Sequence, residues 1–405
     1  MGVLSRREGL PTGLARARSP GWVRGIAAIP EPWAWASLAW LATRAALLIW
    51  SLVLQKLGLI HLGAGQQYAV GLAPSSLGSG TSFLLNWQRW DAIHYVRIAT
   101  SGYASPDLSA FHPLYPLLGR LAAPLTGGNE FLALLLVSNL AAFLAFALFY
   151  ELACESLGSQ VARQSLLALV VFPSAFFLTA PYAESLTLCL ILLAYREARH
   201  ARWLAALTAG IAAGLSHPTA LPLSVLLAWE VGKRLTRPQG MRPATMLLLP
   251  SAPLLGTGLF LGWQWLEGLA FWSKMHHDVW GVVTQWPWET LAQAPGSFGS
   301  AYFPVVGWIN FATLVVAIIL TAWGATHLPR SFMAFQLPLV VFLLSFNVVG
   351  EPLSSSMRHA IMMFPMFIGL GVLCSTPGRR LAYAAIAFGL QLYVAALFFQ
   401  WIWVG

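Results

Sequence analysis

Residues 131–157 read FLALLLVSNLAAFLAFALFYELACESL, and positions 131 to 150 contain no Asp, Glu, Lys or Arg. A run of that length and apolarity is what a helix needs to cross a hydrocarbon core about 30 Å thick, roughly 20 residues at 1.5 Å each. The same pattern recurs along the 405-residue chain: 58% of residues are hydrophobic, 9% are charged and the mean hydropathy is +0.68. Soluble domains carry roughly 25% charge, so soluble enzymes and nucleic-acid-binding modules are excluded, and nucleic acid is not expected as a partner. Hydropathy predicts about eleven crossings, at 33–60, 131–157, 163–180, 183–196, 203–215, 218–231, 244–267, 301–326, 331–349, 358–374 and 381–403. The fold class is an all-α polytopic membrane protein with one domain over 1–405.

Proline and glycine punctuate several of these segments. Pro173 and Pro181 interrupt the third and fourth, and Ser216-His217-Pro218 divides two pieces too short to span upright. Short or bent helices of this kind are expected to surround a cavity.

The net charge of +9 follows from 23 basic against 14 acidic residues. In a membrane protein such an excess first reflects the positive-inside rule. Arg6, Arg7, Arg16, Arg18 and Arg24 place a basic tail (1–32) in the cytoplasm with no cleavable leader. Alternating crossings then put sixteen of the 23 basic residues on that side. Histidines and acids divide the other way. His61, His94, His112, His217, His276, His277 and His359 map to the outer face, together with Asp91, Asp107, Glu184 and Glu351. That face, with a first outer loop at 61–130 and a second at 268–300, is the expected place for chemistry. Cys154, Cys189 and Cys374 have no metal-binding or disulfide spacing and read as small core residues.

The first outer loop contains Asn86-Trp-Gln-Arg-Trp-Asp-Ala-Ile-His-Tyr-Val-Arg-Ile98. At 100° per residue, Leu84, Trp87, Asp91, Tyr95 and Ile98 share one face of an interfacial helix, which sets a carboxylate in an apolar, aromatic stripe. Such a carboxylate is partnered or used. Pairing with His94, or with a basic residue elsewhere in the chain, is the structural alternative, and general-base work the functional one.

Trp90-Asp91-Ala-Ile-His94-Tyr95, followed by Gly102-Tyr103 and by Phe111-His-Pro-Leu-Tyr-Pro116, resembles the PIG-V family of mannosyltransferases, GPI mannosyltransferase 2 among them. Looser matches follow in order at Phe172–Ser185, Phe271–Gly281 and Ser356–Pro365. The resemblance implies a GT-C glycosyltransferase. It implies inverting transfer of a sugar, most simply mannose, from a polyprenyl or dolichyl phosphate donor to a glycolipid or glycan acceptor outside the cytoplasm. It also implies that Asp91 is the catalytic carboxylate. Compact loops and an Ala/Leu/Arg-rich composition suggest a prokaryotic plasma membrane. This chain departs from the family pattern at His112, His217 and His359, which leaves the sugar and acceptor open.

Chemistry makes parallel demands. An attacking hydroxyl must lose its proton to a positioned base, and an anionic leaving phosphate needs cations. Arg358 is the first candidate because its planar fork matches phosphate oxygens, with Lys274, His217 and His277 beside it and His276 and His359 as further candidates. Glu184, Trp90, His94, Tyr95, His112 and His359 are candidates for acceptor or supporting contacts. Adjacent His276 and His277 diverge by about 100° on a helix, so no metal and no other cofactor is expected; membrane lipids are the remaining partner. The alternative function is a transporter, for which Arg44 within the first span is the main sign.

Overall fold

In the computed structural model, residues 29–60, 82–235, 243–298 and 304–405 are described. The N-terminal arginines 6–24, His61, Arg237 and Arg242 lie outside these ranges. The chain is a nearly all-helical polytopic membrane protein. Its sixteen α-helices among the described residues are α1 (Glu31–Lys56), α2 (Asp91–Ser101), α3 (Leu114–Ala122), α4 (Glu130–Leu157), α5 (Ser159–Val170), α6 (Glu184–Arg199), α7 (Trp203–Ser216), α8 (Leu223–Leu235), α9 (Pro243–Leu266), α10 (Trp272–Trp280), α11 (Pro287–Ser297), α12 (Pro304–His327), α13 (Arg330–Ser345), α14 (Ser356–His359), α15 (Phe364–Leu373) and α16 (Pro377–Phe399).

Four helices, α1, α4, α12 and α16, are long and apolar enough to cross a membrane, and a fifth crossing is available if a pair bent by 83° at residue 363 counts as one. The other expected crossings fall on shorter or interrupted helices. The segment expected at 163–180 stops at Val170, and a single 3-10 turn, Ala175–Leu178, follows Pro173. Carbonyls orphaned by such a break must find donors. Gln391 Nε2, from α16, supplies two, to Val170 O at 3.1 Å and Phe172 O at 2.9 Å. The crossing expected at 331–349 ends at Ser345 and continues as a short strand β2 (Phe346–Val348), antiparallel to β1 (Val282–Thr284) with Val283 opposite Asn347. The β-branched and aromatic residues of these two stretches suit a ladder better than a last helical turn.

Two glycines set the closest helix crossing. A Cβ on Gly214 of α7 would stand 2.0 Å from Pro253 O, and one on Gly256 of α9 would stand 2.1 Å from Ile211 O. Only backbones without side chains approach so closely.

Arg44, the charge inside the first span, is held within the protein. Its Nε donates to Asn139 Oδ1 at 2.9 Å and Nη2 to Leu178 O at 2.6 Å, with the Trp40 and Phe146 rings alongside. The bundle is polarised. At the end of α6 and the start of α7, Arg196 pairs with Glu151 and Glu197, Arg199 with Glu155, and Arg202 with Glu197. Glu184 and His217 lie at the opposite ends of the same two antiparallel helices.

Candidate active site

The expected single helix through Leu84–Ile98 is two pieces. A 3-10 turn covers Ser82–Trp87, and α2 begins at Asp91 after Trp90, whose φ of 52° and ψ of −120° lie outside the helical region. A positive φ at a bulky residue is strained by roughly 1–3 kcal/mol. Here it turns the chain so that Asp91 starts a helix rather than sitting in the middle of one. A carboxylate is favoured there by the unpaired N–H groups and the helix dipole. Asp91, Tyr95 and Ile98 keep their shared face; Leu84 and Trp87 leave it.

Glu184 is likewise the first residue of α6, following the break at Pro181, and is 1% exposed. Arg358 lies in the short helix α14, set off from α15 by the 83° bend. Its Nη1 donates to Asp91 Oδ2 at 2.6 Å, and its Nε donates to Glu184 Oε1. The guanidinium carbon lies 4.6 Å from the centroid of the Tyr182 ring and 5.2 Å from that of Phe177. A buried guanidinium needs this company: two carboxylates satisfy its charge and two aromatic faces its plane. His94 does not take this position; the partner of Asp91 is a basic residue distant in the chain. His94 Nδ1 stands 3.7 Å from Asp107 Oδ2 instead, its ring stacked on Phe111 at 4.8 Å. Burial pushes the His94 imidazole below its usual range, against the pull of Asp91 and Asp107.

These groups open on a cavity of about 380 Å³, within the range of roughly 300–1,000 Å³ usual for small-molecule sites. Asp91, Arg358, Trp90, His94, Tyr95, His112, His217 and His359 line it, and Glu184 lies behind Arg358. Trp401 and Trp403 pack edge-on against Trp90 at 5.8 and 5.4 Å. His112 Nδ1 donates to Gly214 O at 2.9 Å while its ring lies against Phe260. Burial pushes that imidazole down to about 4, so it is neutral at ordinary pH.

Lys274 and His277 are not part of this group. Both are exposed on α10, where His277 pairs with its neighbour Asp278 at 2.9 Å. The face of α10 turned to the cavity carries Trp272, His276 and Trp280, a stripe at i, i+4 and i+8 that the sequence displayed. Burial holds the His276 imidazole below its usual range. Asn347, Ser354 and Ser355 also line the cavity and had no sequence signal. They arrive there through the β1–β2 pairing and the left-handed turn at Ser355 (φ 65°).

Compared with known proteins, residues 73–215 match the family described as Mannosyltransferase (PIG-V). A curated relative, GPI alpha-1,6-mannosyltransferase 2 of Mus musculus, is 35% identical over 150 residues. That alignment covers 34% of this chain and 30% of the mouse protein, so the chain spans less than a third of that relative. Two solved structures are similar in shape. ArnT from Cupriavidus metallidurans bound to undecaprenyl phosphate has a TM-score of 0.48 at 16% identity, covering 91% of this chain and 64% of that one. The Archaeoglobus fulgidus oligosaccharyltransferase tethered with an acceptor peptide has a TM-score of 0.41 at 12% identity, covering 90% and 55%.

Proposed function

We propose, taking residues 73–215 as a mannosyltransferase (PIG-V) segment, that the protein is an inverting GT-C-type glycosyltransferase. It moves a sugar, most simply mannose, from a polyprenyl or dolichyl phosphate donor to the hydroxyl of a glycolipid or glycan. The observation that carries this reading is the Asp91–Arg358–Glu184 triad, with Arg358 and Glu184 buried, at the wall of a cavity of about 380 Å³.

In the reaction, the acceptor oxygen attacks the anomeric carbon from the face opposite the phosphate. The bond from that carbon to the phosphate oxygen breaks, and lipid phosphate departs. Asp91 accepts the hydroxyl proton. Arg358 Nη1 donates to Asp91 Oδ2. A donor phosphate beside Arg358 competes for the same guanidinium, stabilised there by a charge-assisted contact. The carboxylate oxygen it displaces is then free to act as base. Glu184 keeps the guanidinium from leaving with the phosphate.

The site faces the extracytoplasmic side in this reading. It is supported by polarity: the arginine cluster Arg196, Arg199 and Arg202 sits at the end of the bundle away from Glu184 and His217, as the positive-inside rule requires of a cytoplasmic end. The transporter alternative drew on Arg44, and that guanidinium is already held by Asn139 and Leu178. Transfer of radiolabelled mannose from a polyprenyl phosphate donor into lipid, by purified protein in liposomes, is the test. No transfer with mannose or any other lipid-phosphate sugar, from a folded protein, overturns the reading.

A further inference from the structure

Glu184 starts α6, His217 ends α7 and His359 ends α14, yet a ligand atom of each lies within 4.8 Å of the other two. One oxygen of Glu184 is taken by Arg358. The other, Oε2, is buried without a hydrogen-bond partner, on a residue 1% exposed. A buried carboxylate oxygen of that kind wants a cation or a donor. His217 Nδ1 stands 2.8 Å from Thr219 Oγ1. Nδ1 also accepts from the Thr219 backbone N–H at 3.3 Å, so the ring proton sits on Nε2 until an ion takes that position and moves it to Nδ1, where Thr219 Oγ1 can accept it. The rings of His217 and His359 face each other with centroids 5.2 Å apart.

We propose that Glu184, His217 and His359 bind a divalent cation of the zinc type, leaving at least one coordination position open to the cavity. Two imidazole nitrogens and one carboxylate oxygen are a set that zinc accepts at about 2.0–2.2 Å, with a fourth place for water or substrate. Ligand atoms around a tetrahedral ion stand ~3.3 Å apart, so the three side chains close in by rotation from their present spacing.

Charge gives the ion a purpose. Around Arg358, two carboxylates, Asp91 and Glu184, face one guanidinium, and Glu351 adds another at the exposed rim. With neutral imidazoles, a phosphate ester would enter a site that is already negative. A divalent cation reverses that balance and offers the phosphate an open position. This role rests on the donor reading above; the binding of the ion does not. The sequence argued against a metal because His276 and His277 diverge, and that argument still holds for them. The ligands come from three other segments. His217 and His359 are also positions where this sequence departs from the family pattern it resembles, so the site belongs to this chain's own residues.

The test is zinc uptake by the full chain, purified in detergent, stripped with a chelator and checked for fold by size exclusion and circular dichroism. Elemental analysis should return about one zinc per chain, a single site of this ligand set. Competition with a chromophoric chelator should show at least a ~10-fold loss of affinity in His217→Gln and in His359→Gln. His276→Gln, which alters the same cavity outside the trio, should bind as the parent does. Glu184→Gln is the less informative variant, because it also takes a partner from Arg358. Absence of stoichiometric zinc in the parent protein overturns the proposal, as does parental affinity in both histidine variants or an equal loss in His276→Gln. Failure of the transfer assay leaves zinc stoichiometry untouched, so the two readings fail separately.

Discussion

Asp91 and Arg358, 267 positions apart in the chain, meet at 2.6 Å with Glu184 on the guanidinium's other edge. Three elements with no local reason to associate, the starts of α2 and α6 and the short helix α14, are thereby fixed to one another. In the proposed mechanism the same contact also engages the base, which would tie stability and chemistry to one side chain.

Arg358→Met should therefore destabilise the protein severely. Removing one member of a buried ionic group leaves the others uncompensated, at roughly 3–5 kcal/mol, and here two carboxylates are left. Arg358→Lys should recover part of the loss only, since a single ammonium cannot reproduce two directed N–H contacts. Thermal unfolding in detergent checks both; equal melting temperatures for the Arg358→Lys variant and the parent protein would contradict the bridging role.

Asp91→Asn should leave the fold intact, because Glu184 still balances Arg358. Transfer should drop on the order of 10²- to 10⁴-fold, the range for a missing general base. Donor binding, followed by protection against heat, should survive. Near-parental turnover would remove Asp91 from its role.

Lys274→Ala and His277→Ala should leave turnover close to the parental value, as both side chains are exposed and neither lines the cavity. His276→Ala, one position away from His277, should reduce it. The opposite order in a side-by-side transfer assay would place the donor phosphate outside the cavity.

His112 gives a pH signature. Its folded-state value of about 4 lies below the ordinary 6.5 of an imidazole, so the folded protein resists a proton that the unfolded chain accepts. Its contribution to stability is full above about pH 6.5, declines as pH falls and is lost near pH 4. The span is worth at most about 3 kcal/mol. His112→Asn should flatten that part of the stability–pH curve; an unchanged slope would show that His112 is not the group responsible.

Much of this site was open to reading from the chain alone. Asp91 stands out as a carboxylate among aromatic residues, Glu184 falls within the stretch 73–215 that matches the family model, and Arg358 lies in a stretch with a looser resemblance. What the sequence withheld is their mutual pairing, because contacts across 174 and 267 positions depend on how short helices stack, and periodicity is silent on that. Helical phase misled at Trp90, where a positive φ breaks a pattern that looked continuous. His277 was preferred over His276, although Trp272 and Trp280 four residues to either side of His276 marked the inward face. The bend at residue 363 and the strand at Phe346–Val348 were hidden inside uninterrupted apolar runs, where length and hydropathy cannot tell a straight helix from a folded one.

At Gly214 and Gly256, α7 and α9 touch through bare backbone, with no side chain to trim or enlarge. The spacing of α7 and α9 consequently has no fine adjustment: even one methyl at Gly214 acts as a wedge. Inherited variation should then move in two registers. The aromatic and serine rim can drift and retune which sugar or acceptor is admitted, while the floor changes only by jumps that melt it. A saturation library scored for both folding and transfer would display that division as tolerance at Trp403 and Ser354 beside intolerance of Gly214→Ala.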